Sequence, residues 1–127
     1  MTTIVQDQKT IQIRRITYGV VISAIVLIFA FTGILKFTSS ESIINNFSKW
    51  NLLKWKEVIG AVEILGVILY LIPKTNLIGA LLFTGIMAGA IYIHVTFNEP
   101  YFFESGIVLV IWINYLFLKP GTRLGSK

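Results

Sequence analysis

The sequence contains no cysteine, which excludes a structural disulfide, a thiol redox couple and a cysteine-ligated iron–sulfur cluster. It has one histidine, His94, so a haem ligated by two histidines of one chain and a His-rich metal site are excluded as well, and no metal ligand set is expected. Charge is also scarce. Asp, Glu, Lys and Arg together make up 13% of the chain, and residues 16–35 and 75–98 contain none of the four.

What fills these stretches is apolar. Of the 127 residues 55% are hydrophobic and the mean hydropathy is +0.78, too apolar for a water-soluble domain of this length. At about 1.5 Å of rise per residue, each uncharged stretch can cross a hydrocarbon core of about 30 Å. The expectation is an all-α, polytopic membrane four-helix bundle. It forms a single domain over residues 1–127, with spans near 16–36, 55–73, 76–95 and 100–118 and a short interfacial helix between helices 1 and 2. The net charge of +5 does not imply a nucleic-acid partner, because Lys and Arg flanking apolar spans set orientation and meet lipid head groups.

Residues 1–15 are polar and run into the first span. That span is too long for the apolar core of a signal peptide and is followed by KFTSSES, so it reads as a retained helix. Residues 37–54 are the one long connection. Ile43, Ile44, Phe47 and Trp50 recur there at helical spacing, while Trp55 and the lysines at 49, 54 and 56 suit the head-group layer. Pro73 ends the second span. Asn98 and Glu99 before Pro100 mark the start of the fourth, with Glu104 in its first turn. Asn114, deeper in that helix, is expected to hydrogen-bond to another helix.

The feature that needs explaining is Glu63, a carboxylate in the middle of an apolar run. In a membrane helix such a group costs about 3 kcal/mol unless it meets a partner or lines a cavity. Lys36 closes the first span, sharing a face with Thr32 and Gly33, and His94 closes the third. Lys36, Glu63, His94 and Glu104 are therefore expected to form a polar pocket opening outward. In one view it is a site for a quinone head group or another small polar ligand. In the other, Lys36 pairs with Glu63 and the cluster only fixes helix register. Gly33, Gly60, Gly66, Gly85 and Gly89 are expected at helix contacts. Lys9, Arg14, Arg15, Lys74, Lys119, Arg123 and Lys127 gather on the side of the termini. By the positive-inside rule both termini face the cytoplasm of a cell membrane, the bacterial inner membrane.

The strings TGILKF at 32–37, EVIGAVEILGVILYLIP at 57–73 and GALLFTGIMAGAIYIHV at 79–95 resemble the DoxX-like family of small four-helix membrane proteins. The resemblance covers nearly all of residues 16–118 and implies that Gly33, Lys36, Glu63, Gly66, Gly79 and His94 stand at the family's motif positions. Members of that family are named for a thiosulfate:quinone oxidoreductase or terminal quinol oxidase complex, and animal relatives assist receptor assembly. The resemblance thus implies either an accessory or quinone-interacting subunit of a membrane redox complex, or a non-enzymatic assembly factor, chaperone or scaffold. Other membrane proteins or further copies of the chain are the partners in both cases. No cofactor held by this chain is evident, which favours an accessory role over a self-sufficient enzyme.

Overall fold

The computed structural model describes residues 2–119, with side chains from residue 5 onward. Arg123 and Lys127, on which part of the orientation rests, lie outside the described residues. Among the described residues the chain is all-α, with helices α1 (Thr2–Leu35), α2 (Glu41–Lys49), α3 (Lys56–Leu71), α4 (Asn76–Thr96) and α5 (Phe102–Ile113). Short 3-10 turns precede α3 and α4, and α5 continues as a π-helical turn over Asn114–Leu118.

α1 starts far upstream of the expected span. The polar segment TTIVQDQKTIQIRR has no proline or glycine to interrupt it, so the change in composition near residue 16 changes the surroundings of the helix and not its backbone. Its 34 residues reach about 51 Å. α2 is the expected amphipathic helix of the long connection. Ser40 caps it by accepting from the Ile43 N–H at 3.4 Å, Glu41 occupies the first turn, and Phe47 is buried.

Two boundaries fall inside the expected ones. α3 has 16 residues, about 24 Å, and stops at Leu71 before Pro73. α5 begins at Phe102 and not at Pro100. Asn98 adopts a positive φ of 56° and the Glu99 N–H bonds to the His94 carbonyl at 2.7 Å, which turns the chain out of α4. By length and composition, Val5–Leu35 and Pro73–Thr96 can each cross a membrane, while Phe102–Leu118 is apolar but shorter.

α1 packs on α3, α3 on α4 and α4 on α5, while α1 meets the last turn, 114–118, more closely than the rest of α5. The core between them contains Ile25, Phe29, Val67, Tyr70, Ala80, Phe83, Ile107 and Ile111. Phe29 and Phe83 stack with ring centroids 3.9 Å apart, and Tyr70 meets Phe83 edge-on. The outward faces are apolar too. Leu27, Phe31, Ile68, Leu81, Leu109 and Phe117 are all more than half exposed, a surface suited to hydrocarbon and not to water.

Candidate functional site

Glu63 lies midway along α3 with its side chain 3% exposed. Lys36, just past the end of α1, brings its Nζ to 2.8 Å from Glu63 Oε1, and the Thr32 hydroxyl donates to Glu63 Oε2 at 2.9 Å. The carboxylate is thus held by an ammonium and a hydroxyl from one helix face, as the spacing of Thr32 and Lys36 requires. Close approach makes this possible. A Cβ on Gly60 would stand 2.8 Å from the Gly33 carbonyl oxygen and 3.0 Å from Lys36 Cβ. With neither glycine bearing a side chain, α1 and α3 come near enough for the pair to form.

Lys56 departs from its expected place in the head-group layer. It is 5% exposed and turns inward, donating to the carbonyls of Lys36 and Thr38 while pairing with Glu57 at 2.9 Å. These bonds occupy carbonyls left open where α1 ends, so Lys56 ties the chain carrying Lys36 to the start of α3.

His94 belongs to a second cluster. Its Nδ1 lies 3.0 Å from Glu99 Oε1 and its Nε2 lies 3.0 Å from Glu104 Oε1. Glu99 also accepts from Lys49 Nζ and, at 3.0 Å, from the Trp50 indole N–H, so three elements meet on one carboxylate. The Trp50 and His94 rings meet edge-on at 5.6 Å. The Lys49 ammonium, then the bonds from His94 and Trp50, hold the Glu99 carboxyl down at about 2 against the opposing effect of partial burial. Glu99 was absent from the expected site. Its acidic side chain before a proline reads as a helix-start signal, and nothing in its spacing points to His94.

The two clusters share a cavity of about 540 Å³. Lys36, Glu63, His94 and Glu104 all line it, with Thr32, Asn46 and Trp50, while Phe29, Phe47, Ile86, Phe103 and Ile107 make much of its wall apolar. The structure therefore brings the four expected residues to one space as two separate groups, the Lys36–Glu63 ion pair and the His94–Glu104 hydrogen bond. Among the described residues no set of three His, Asp or Glu side chains is arranged to hold a metal ion.

The profile of the DoxX-like family matches residues 20–115. The chain belongs to the DoxX-like family. With the long apolar helices, membership makes it a membrane-associated protein. No curated protein and no solved structure matches the chain. Lys36, Glu63, His94, Glu99 and Glu104 all fall inside the DoxX-like match, whereas residues 2–19, which belong to α1, fall before it.

One expectation is corrected. Gly85 and Gly89 are not at a helix contact in this DoxX-like chain. A Cβ at either position meets nothing within 4 Å, and both line the edge of the cavity, because they lie on the exposed side of α4 and not on the side packed against α3. Gly33, Gly60 and Gly66 do sit at contacts, the last against the Phe83 ring. Asn114 is 1% exposed, and its side chain lies against the Tyr70 side chain of α3. Its carbonyl accepts from the Lys119 N–H at 2.8 Å and closes the π-helical turn.

Proposed function

We propose that this DoxX-like protein is a four-span accessory subunit of a membrane redox complex that receives the head group of a quinone-class lipid. One observation carries the reading: an apolar cavity with an ammonium–carboxylate pair and a histidine–carboxylate group at its wall. An amphipathic ring with polar oxygens suits such a space, apolar wall against ring and polar groups against oxygens. Lys36 offers positive charge to an oxygen that becomes negative, and His94 offers an exchangeable proton. The chain has no cysteine for a thiol redox couple, and in this reading the electrons come from or go to a partner subunit of the complex. α3 and 102–118 complete the four spans, and the short lengths of both are accommodated by local thinning of the bilayer. Both termini face the cytoplasm in this reading, which places the cavity in the outer half of the membrane.

The test uses Trp50, which lines the cavity. Purified protein in lipid nanodiscs is titrated with a short-chain quinone while Trp50 fluorescence is followed in a Trp55→Phe, Trp112→Phe background. Mass spectrometry of the co-purified lipids accompanies it. Saturable quenching lost in Gly89→Leu supports the reading. Absence of both saturable quenching and co-purified quinone overturns it.

The alternative, an assembly factor or scaffold, draws on a different observation. Val5, Ile11 and Ile13 are exposed on the first half of α1, where a helix longer than the membrane is thick carries apolar side chains toward a partner.

A further inference from the structure

His94 is hydrogen-bonded through both ring nitrogens to carboxylate oxygens, and the two carboxylates are not equivalent. Glu99 accepts from Lys49 and Trp50, and its Oε1 lies 3.0 Å from His94 Nδ1. A carboxylate with an ammonium and an indole N–H directed at it is ionised and has only acceptor sites, so the ring nitrogen facing it, Nδ1, carries the hydrogen. Glu104 has a single partner in this cluster, His94 Nε2, and shares the cavity wall with it.

We propose that Glu99 is the positioning residue of a proton-holding pair. It locks His94 in the Nδ1–H form, so that the one exchangeable proton of the group sits between His94 Nε2 and Glu104, on the cavity side. This deepens the ligand-binding reading of the cavity and rests on it for its purpose, not for its chemistry. The proton that leaves Nε2 goes to a ligand oxygen, and the ring is left neutral with Nδ1–H intact. When Glu104 is protonated its carboxyl donates to Nε2 instead, and Nδ1–H is again unchanged. In both directions the ring keeps its orientation, because the bond to Glu99 survives each state.

Every element around His94 contributes to this division. Glu99 comes from the 97–101 connection, Glu104 from α5, and Lys49 and Trp50 from the α2 end. Lys36 and Glu63, from α1 and α3, neutralise each other on another part of the cavity wall. Lys49 and Trp50 bond only to the Glu99 side, so the cover formed by α2 is tied to the nitrogen that does not exchange.

His94 is the sole histidine, which makes the imidazole nitrogens directly observable. The full chain, labelled with ¹⁵N-histidine and held in nanodiscs without added quinone, is followed by NMR across pH 4 to 9. In the wild type the expected result is one nitrogen, Nδ1, protonated throughout, with Nε2 alone moving. Glu99→Gln retains an acceptor oxygen and should keep that pattern, whereas Glu99→Leu should lose it and show both tautomers exchanging. Trp50→Phe leaves the His94 bond in place and should match the wild type, so it separates tautomer control from disturbance of α2. A neutral wild-type ring with its hydrogen on Nε2, or a Glu99→Leu spectrum identical to wild type in a folded protein, overturns the proposal. Since no quinone is present, a failure of the ligand reading leaves this measurement intact, and the converse also holds.

Discussion

The carbonyl oxygen of Gly33 lies 2.8 Å from the position that a Cβ on Gly60 would occupy. The atom in the way is backbone, so it cannot swing aside as the end of a side chain can. The contact also stands directly beside Lys36 and Glu63, which links the packing of α1 on α3 to the assembly of the ion pair.

Gly60→Ala should therefore destabilise the protein by about 1–3 kcal/mol, the usual cost of overpacking. Gly85→Ala meets open space and replaces a helical glycine, so it should be neutral or stabilising by about 0.5–1 kcal/mol. Thermal unfolding of both variants in one detergent checks the contrast. Equal losses would show that Gly85 is enclosed after all.

How much of this was legible in the sequence follows the physics of each residue. Uncharged runs and a carboxylate inside one of them are direct signals, so the all-α apolar architecture and the Lys36–Glu63 pairing could be anticipated from one helical face and one cost. Glu99 could not, because its role depends on a left-handed turn at Asn98 and on α2 folding back from fifty residues away. Nor could the inward turn of Lys56, since a lysine beside Trp55 at a span end has the same spacing whether it snorkels or caps. The glycines of α4 show the limit of pattern most clearly. Gly79 and Gly85 look alike in sequence, and only the rotation of the helix decides that one meets the Tyr70 backbone and the other meets nothing.

Acid should loosen the attachment of α2. The Glu99 carboxyl is lowered from its ordinary 4.5 to about 2 in the folded protein. A group lowered on folding contributes stability that is complete above its unfolded value and is lost as pH falls through the folded one. The contribution should thus be present above about pH 5 and decline toward pH 2. Melting temperatures of wild type and Glu99→Gln should converge over that window, with the wild type higher at pH 6. Parallel curves would remove Glu99 as an acid-sensitive tether.

Topology is open to a direct test because the chain has no native cysteine. Ser39 and Lys74 are exposed and lie in connections on opposite sides of the expected arrangement. Ser39→Cys should react with an impermeant maleimide added to intact cells, and Lys74→Cys should react only after the membrane is opened. Labelling of Lys74→Cys from outside would reverse the orientation.

The last expectation separates a structural pair from a binding one. Lys36 Nζ and Glu63 Oε1 are 2.8 Å apart, with side chains 14% and 3% exposed, so removing one partner strands the other in a poor dielectric. Breaking a buried pair from one side costs about 3–5 kcal/mol, while removing both charges together often costs far less. Lys36→Met and Glu63→Gln should each lower stability strongly, with Glu63 losing less if Thr32 continues to bond the amide oxygen, and the double variant should recover part of the loss. Coupling above about 0.5 kcal/mol in this cycle marks direct interaction. Quinone titration of the double variant then decides its use: a pair that serves only to hold α1 on α3 leaves binding intact, whereas a site that presents Lys36 to a ligand oxygen loses binding in a protein that still folds. Additive stability effects would exclude the coupling, and full retention of binding would exclude Lys36 and Glu63 from the site.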